Sequence, residues 1–507
     1  MDQSKIGTRK TLTLFGFFAL TASMVMTVYE YPTFATSGFH LVFFLLLGGF
    51  LWFLPVALCA AEMATVEGWE EGGIFTWVGK TLGEKWGFAS IFFQWFQITV
   101  GFVTMIYFIL GALSYVLNWP ALNEKPFIKF AGVLVIFWAL TFSQLGGTKN
   151  TAKIAKIGFI VGILIPAVIL FGLSIAYLVG GNPIDVKISV STFLPDFTKL
   201  NTLVVFVSFI LAYMGVEASA SHVNEMVNPK KNYPLAMFGL VILAIILNTI
   251  GGLAIAAVIP QSQLNLSAGV VQTFAVLIEK FGGGTFLVKI IALMIALGVM
   301  GEVSAWVVGP SRGMYAAAQK GILPKKLRKV NEHDVPVPLI MLQGVVVTIW
   351  AAVLTFGGGG NNVSFLTAIS LTVVIYLVGY LLFFIGYFKL IFKHEDLKRA
   401  YQIPGGKIFK SIVAAFGFIT SIFALAISFV PPAQLVGKSA DEYEAILFIS
   451  FVITLIIPFA IYEVHEKENR TDHHAKHLHH HEVDTFVDLK ARGEHQINPN
   501  AEDYITH

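Results

Sequence analysis

The chain has 507 residues, of which 56% are hydrophobic and only 13% are charged. A soluble globular protein carries about 25% charged residues, and it could not bury this much apolar surface in one core. The composition therefore predicts that lipid surrounds most of the chain. The formal net charge is +3 and no long basic run is interleaved with aromatic residues, which argues against nucleic acid as a partner.

Twelve segments are apolar over the roughly 20 residues that a helix needs to cross a bilayer. The first runs from Leu12 to about Ala35, beyond the roughly 7 to 15 residues of a signal-peptide core, so we interpret it as an uncleaved membrane helix. The sequence thus predicts an all-α polytopic membrane protein. The predicted spans are 12–36, 39–63, 87–117, 127–144, 153–179, 201–225, 235–259, 285–310, 337–356, 363–388, 409–430 and 443–463.

Lysine and arginine residues concentrate in alternate loops, which the positive-inside rule assigns to the cytoplasm. The N-terminus belongs to the same basic set, so an even number of spans places both termini in the cytoplasm. The basic residues of these segments are Lys5, Arg9, Lys10, Lys149, Lys153, Lys156, Lys230, Lys231, Lys320, Lys325, Lys326, Arg328, Lys329, Lys393, Lys398, Arg399, Lys407 and Lys410.

Two spans carry helix-breaking and ionisable residues at their middle. In the first, Pro32 cannot complete the helical ladder, and in the sixth, Gly215 interrupts an apolar run. Spans one and six are equivalent if the first ten form two repeats of five, and transporters of that kind bind their substrate where such helices break. Alternatively, Pro32 only kinks a helix and Gly215 only allows close packing. The candidate binding residues at the two breaks are Met26, Thr27, Tyr29, Glu30, Gly215 and Glu217.

Two further segments resemble a known transporter superfamily. Residues Gly215–Pro234 resemble the sixth-helix signature of the amino acid, polyamine and organocation transporters, and Pro310–Pro324 resemble the segment after their eighth helix. From Leu12 to Tyr462 the chain is most similar to the bacterial glutamate/γ-aminobutyrate antiporters of acid resistance. The segments that carry this closer likeness are Thr21–Phe34, Gly68–Gly73 and Leu371–Tyr376.

The resemblance implies a LeuT-like fold of two inverted five-helix repeats, with helices 1 and 6 broken, followed by two extra helices. It divides the chain into a cytoplasmic N-terminus (1–11), a transport core (12–392), the last two helices (393–464) and a His-rich tail (465–507). It also implies exchange of extracellular glutamate for cytosolic γ-aminobutyrate across the bacterial inner membrane at acidic pH. A cytosolic glutamate decarboxylase would be the functional partner, and the chain itself would not be an enzyme.

By resemblance, several residues correspond to positions on the family's transport path. A zwitterionic amino acid needs acceptors for its ammonium group and donors for its carboxylate, which unwound carbonyls and half-helix N-termini supply. A carboxylate in a membrane-buried path is disfavoured as an anion and would select against fully anionic glutamate. Ordinary packing is the alternative role for Glu302, Tyr376 and Tyr380. The corresponding residues are Tyr29, Glu217, Glu302, Trp306, Tyr376 and Tyr380.

The residues after Tyr462 are polar and rich in histidine. In the resembled antiporters the C-terminal tail plugs the cytoplasmic opening at neutral pH and withdraws in acid. Histidine, with an unperturbed pKa of about 6.5, gains charge as the cytosol acidifies, and repulsion from basic loops would expel the tail. A disordered solubilising tail or adventitious metal binding are alternatives. The candidate pH-gate residues are His465, His473, His474, His477, His479, His480, His481 and His495.

Other functions remain open from the sequence. Within transport, they are a proton-coupled symporter or an exchanger for another pair, such as arginine and agmatine. An intramembrane metalloenzyme would need ligand spacing, but His222 with Glu217 and Glu225 forms no H-E-x-x-H pattern. Cys59 is the single cysteine, which excludes an internal disulfide and argues against metal or redox chemistry based on cysteine. We expect no cofactor and no metal. We interpret the Gly- and Glu-rich loop 67–86 as a solvated linker, with a role in the cytoplasmic gate as the alternative.

Overall fold

The structure, a computed structural model, describes residues 13–69, 73–146, 154, 157–217, 226–333, 335–357 and 360–491. Side chains are described as far as His465, except at 19, 20, 23, 24 and 308. Over these residues the secondary structure is mostly helical, and an isolated β-bridge pairs Val66 with Arg399. The predicted all-α architecture is confirmed.

Fifteen helices are used in the description below. They are α1 Leu14–Val25, α2 Tyr31–Ala35, α3 His40–Ala64, α4 Gly73–Leu82, α5 Glu84–Val116, α6 Pro126–Ser143, α7 Phe159–Val179, α8 Phe206–Leu211, α9 Pro229–Val258, α10 Gly269–Lys280, α11 Thr285–Gln319, α12 Val337–Phe356, α13 Gly360–Lys393, α14 Gly406–Ile427 and α15 Lys438–Ala491. Short helical turns at Ala121–Glu124, Val190–Phe193 and Leu200–Leu203 connect them.

Ten helices in the described part of the chain are long and apolar enough to cross a membrane. They correspond to ten of the twelve predicted spans. The other two, spans one and six, consist of shorter helices because each is interrupted. A count of twelve therefore depends on treating these two interrupted segments as spans.

The first interruption separates α1 from α2. The Thr13 hydroxyl caps α1 by accepting a hydrogen bond from Gly16 N at 3.1 Å, and the helix ends at Val25 because Met26 is extended. Pro32 is not the breaking residue, which corrects the sequence interpretation. It lies in the first turn of α2, where a residue without an N–H loses no helical hydrogen bond.

The second interruption follows α8. Residues 212–215 form a turn, and residues 216 and 217 are helical again. Gly215 has φ = +98°, a conformation that L side chains rarely adopt, so a glycine is needed at this turn. The predicted sixth span continued to residue 225, but residues 218–225 lie outside the described part of the chain.

Two helices extend past prolines at which a boundary was predicted. The eighth predicted span ended at Pro310, yet α11 continues to Gln319 with Pro310 inside it. Likewise, α9 begins at Pro229 and contains Pro234. Each proline removes one backbone donor, a loss that surrounding helices and hydroxyl side chains can offset inside a membrane. Next to Pro310, the Ser311 hydroxyl donates to the carbonyl of Val307 at 3.1 Å.

The loop at residues 67–86 is not a solvated linker, contrary to our expectation. It contains α4, which packs against α5 and α13. Its buried side chains include Ile74, Phe75 and Trp77. These apolar residues recur at helical spacing, so tertiary packing orders a segment whose glycines and glutamates favoured an irregular structure.

Helix α5 lies at the centre of the molecule and positions the site. It packs against α11, α13 and α4, and most of its side chains are buried. By contrast, α6 and α7 expose large apolar side chains such as Phe127 and Val168. Lipid is the solvent that such exposed surfaces require. Helix α15 continues without interruption past the predicted tail boundary at residue 465 to Ala491.

Candidate functional site

Glu217 stands directly after the second interruption and is held by three side chains. The Tyr376 hydroxyl donates to its Oε1 atom, and the Tyr380 hydroxyl donates to Oε2 at 2.6 Å. Gln94 Nε2 donates to Glu217 Oε1 at 3.0 Å and to the Tyr376 hydroxyl at 2.7 Å. All four residues are buried. The cluster therefore joins α5, α13 and the interrupted sixth segment through one carboxylate.

The Tyr380 hydroxyl also fixes the backbone of the turn. It accepts a hydrogen bond from Gly215 N at 3.1 Å, so it bridges the peptide of the turn and the side chain of Glu217. The two tyrosine rings lie 4.4 Å apart between centroids, as their i and i+4 positions on α13 require. The tyrosines thus do more than pack, because their hydroxyls satisfy the polar groups that the broken helix leaves in the interior.

Trp306 of α11 covers the same turn from the other side. A Cβ atom at Gly215 would lie 2.6 Å from the Trp306 ring, which is shorter than a van der Waals contact. The indole therefore packs directly against the backbone of Gly215. The ring is nearly buried. Only a residue without a side chain lets the indole approach the turn, which supplies a second reason for glycine there.

At the first interruption, two buried carboxyl groups lie near one another. Glu30 and Glu302 lie close enough for their charges to interact, and Thr27 hydrogen-bonds to Glu302. The Tyr29 hydroxyl interacts with the Glu30 carboxyl. Among the described residues, however, neither oxygen of Glu30 is within hydrogen-bond geometry of a partner, nor is Oε2 of Glu302. Unpaired buried carboxyl oxygens are uncommon and call for an explanation.

The remaining predicted residues of the first break are also buried there. Tyr29 lies beside Glu30 and packs edge-on against Phe108 of α5, with ring centroids 6.3 Å apart. Met26 is the residue at which α1 ends, and it is almost fully buried. The structure therefore brings Met26, Thr27, Tyr29, Glu30 and Glu302 into one region.

Sequence reasoning missed Gln94. It is an amide in the middle of the apolar helix α5, and polar side chains inside membrane spans are costly and tend to be functional. That signal was present in the sequence. What the sequence did not contain was the fold that brings Gln94 to Glu217, 123 positions away.

A second buried ionic cluster, also missed, surrounds Glu62 near the end of α3. Lys410 Nζ lies 2.6 Å and Arg399 Nη1 3.1 Å from its Oε1 atom. Its Oε2 atom accepts from the Tyr387 hydroxyl and from Ile403 N, each at 2.9 Å. We call these residues the Glu62 cluster. It attaches α3 to the connection between α13 and α14.

Most candidate residues of the pH gate lie outside the described side chains. His465 is described and lies 6.5 Å from Tyr462 between ring centroids. The described side chains end at His465, and residue 495 is outside the described part of the chain altogether. The candidate residues whose side chains are therefore not described are His473, His474, His477, His479, His480, His481 and His495. The same applies to His222 and Glu225. Among the described residues, no three His, Cys, Asp or Glu side chains are arranged to hold a metal ion.

The amino-acid sequence matches a known protein family and several named relatives. A family model described as amino acid permease matches residues 12–458. Two relatives from Lactococcus lactis, of the subspecies lactis and cremoris, are both named glutamate/gamma-aminobutyrate antiporter. Each is 68% identical to this chain over 98% of its length and 100% of the relative. A probable agmatine/putrescine antiporter of the subspecies lactis is 24% identical over 78% of this chain and 84% of the relative.

Proposed function

Because this chain belongs to the amino acid permease family, we propose that it exchanges extracellular glutamate for cytosolic γ-aminobutyrate across the bacterial inner membrane by alternating access. The observation that carries the proposal is the 68% identity, over nearly the whole chain, to two relatives named for this exchange. The geometry of the two interrupted segments supports it, since non-helical backbone inside a membrane is tolerated only where it is buried in protein or lines a water-filled cavity.

The proposed binding site lies between the two interruptions. The unpaired carboxyl oxygens of Glu30 and Glu302 suit an ammonium group, which both substrates carry. The turn at residues 212–215 lies on the other side of the proposed site, and its backbone N–H groups are already hydrogen-bonded within the protein. Trp306, which rests on that turn, would limit the length of the solute.

The substrate pair fits a single site of this kind. γ-Aminobutyrate is glutamate without its α-carboxylate, so the two share an ammonium group and the distal carboxyl. A site that binds these shared groups accepts both molecules in turn. Two uncompensated carboxyls nearby would disfavour a solute with two full negative charges, and so would favour glutamate with one carboxyl protonated. This preference supports activity at acidic pH.

We propose that the Glu217 cluster is the gate on the cytoplasmic side of this site. Its hydrogen bonds connect the interrupted sixth segment with α5 and α13, and all its members are buried. Opening the path toward the cytoplasm requires these bonds to break together, which gives the protein two discrete states rather than a continuous channel.

The architecture that we propose has twelve spans, both termini in the cytoplasm and two inverted repeats of five. Its supports are the ten long apolar helices, the two interrupted segments and the basic residues of alternate loops. A cytosolic glutamate decarboxylase would supply γ-aminobutyrate and consume a proton, so the exchange would contribute to acid resistance. The protein itself would leave its substrates chemically unchanged.

Counterflow in proteoliposomes tests the proposed exchange. At acidic pH, γ-aminobutyrate inside the vesicles should drive uptake of labelled glutamate, and the label should be recovered as glutamate. Arginine or agmatine inside should drive none. Equal uptake into vesicles without internal γ-aminobutyrate, driven by a proton gradient, would indicate a symporter instead. Uptake driven by agmatine would identify a different exchange pair, as in the more distant relative.

A further inference from the structure

A cavity of about 310 Å³ lies where α13 is connected to α14. It is separate from the Glu217 cluster and from the two interruptions. Its walls include three cationic side chains, Arg399, Lys407 and Lys410, one carboxylate, Glu395, and the two consecutive glycines Gly405 and Gly406. The connection is fixed to the end of α3 by backbone hydrogen bonds from Glu67 N to Lys398 O and from Ala400 N to Thr65 O. The cavity is therefore part of an ordered structure.

The charges around the cavity do not balance. Arg399 and Lys410 both pair with Glu62, and Lys407 pairs with Glu395. Three cations thus share two carboxylates, which leaves one positive charge uncompensated. The Arg399 side chain is 1% exposed, and its Nε atom has no hydrogen-bond partner among the described residues. A buried guanidinium with a free donor is costly unless an acceptor reaches it.

The backbone at the cavity adds further donors. Gly405 and Gly406 have φ angles of +96° and +73°, and they begin the 22-residue helix α14. Successive backbone N–H groups in such a turn, at a helix N-terminus, attract anions. A Cβ atom at Gly406 would meet nothing within 4 Å, so the space in front of this backbone is open.

We propose that this cavity binds a phosphate group. Arginine and lysine side chains together with a helix N-terminus form the set of donors that phosphate oxygens prefer. Two sources share this chemistry, the headgroup of an anionic phospholipid and free inorganic phosphate. Lys407 of the cavity wall is followed in α14 by Ile408 and Phe409, which expose 78% and 47% of their surfaces. These apolar side chains could contact acyl chains while the headgroup occupies the cavity.

Lys407 is the residue to change, because its side chain is 45% exposed and it is not part of the Glu62 cluster. Lys85 provides a matched control, since it forms a comparable ion pair with Glu463 and is 40% exposed. The test measures retention of phosphatidylglycerol, relative to phosphatidylcholine, by the full chain in native mass spectrometry. A second arm measures thermal stabilisation by inorganic phosphate in detergent without lipid.

We expect Lys407→Gln to weaken the phosphate-dependent signal by about fivefold, the size of one modest charge contact. Lys85→Gln should leave the signal unchanged. Glu395→Gln should strengthen it, because a competing carboxylate is removed, whereas a merely structural ion pair would give losses for both partners. Dependence of lipid retention on Lys407 identifies a lipid headgroup, and dependence of phosphate stabilisation alone identifies the free anion. Equal effects of Lys407→Gln and Lys85→Gln, or none in either arm, would overturn the proposal.

Discussion

The hydroxyl of Tyr380 serves two partners at once. It donates to Glu217 and accepts from the backbone of Gly215, so it couples a carboxylate to the turn that interrupts the sixth segment. Two tyrosines four positions apart on a helix were recognisable in the sequence, but ordinary packing was nearly as good an explanation for them. Only the folded geometry distinguishes the two roles, because both partners come from a segment more than 160 positions away.

Removing that hydroxyl should slow exchange. Tyr380→Phe keeps the ring, which packs edge-on against Trp52, but it leaves Glu217 Oε2 and Gly215 N without this partner. An unsatisfied buried polar group costs roughly 1–3 kcal/mol, so we expect about a tenfold loss in the initial rate of counterflow. Tyr443→Phe is the control, since its buried hydroxyl bonds to Ser370 and to the carbonyl of Ser428, away from the site. Similar transport losses for both variants would contradict a special role for Tyr380.

At the scale of helices, the two interruptions were predictable and their causes only partly so. An ionisable residue beside a proline or a glycine, at equivalent places in two halves, identified the segments. The sequence misassigned the break in the first segment to Pro32, which instead lies in the first turn of α2. It also ended the eighth span at Pro310, inside α11. A proline in the sequence indicates only that one backbone N–H donor is missing. Whether the helix continues past it depends on the packing of neighbouring helices.

The Glu62 cluster should be essential for holding α3 to the connection before α14. Glu62→Gln removes the charge that Arg399 and Lys410 share, and both cations are buried. Breaking a buried ion pair costs roughly 3–5 kcal/mol, which should appear as a marked fall in the melting temperature of the protein in detergent. Glu463→Gln, at the exposed pair with Lys85, should change stability by less than about 0.5 kcal/mol. The double variant Glu62→Gln/Lys410→Met should recover part of the loss.

A melting temperature of Glu62→Gln equal to that of the unmodified chain would contradict this account of the cluster. Glu62 stood within a predicted apolar span, so a buried carboxylate was detectable from the sequence. Its partners were not, because they lie at least 325 positions further along the chain. Their position depends on how the connection between α13 and α14 folds back onto α3.

For the whole molecule, composition and apolar segments sufficed to predict an all-α membrane protein. Lipid offers no hydrogen bonds to backbone N–H and C=O groups, so a long apolar segment that crosses a bilayer forms a helix. The arrangement of the helices could not be read from the same pattern. Spans such as α5 and α7 are both apolar, yet most of α5 is buried inside the protein and most of α7 is not. Which helix is central depends on long-range packing, and apolar composition alone does not encode it.

The tail provides a test at this scale with two variants that should act in opposite directions. If the tail closes the cytoplasmic opening, as the sequence predicts, deletion of residues 466–507 should extend activity toward neutral pH. Substitution of glutamine for His473, His474, His477, His479, His480 and His481 should instead reduce activity near pH 5, since the tail can no longer gain charge and withdraw. The measurement is counterflow across pH 4.5 to 8. An unchanged pH profile in both variants would rule out the tail as a pH gate.

The central claim is that the solute binds between the two interrupted segments, and substrate protection of one cysteine tests it most directly. In a Cys59→Ala background, Met26→Cys places a thiol where α1 ends, and Phe15→Cys places one on the exposed face of the same helix. Saturating glutamate should slow maleimide labelling of the cysteine at position 26 severalfold and leave that at position 15 unaffected. Labelling at position 26 that is insensitive to glutamate, in a variant that still performs exchange, would contradict the account.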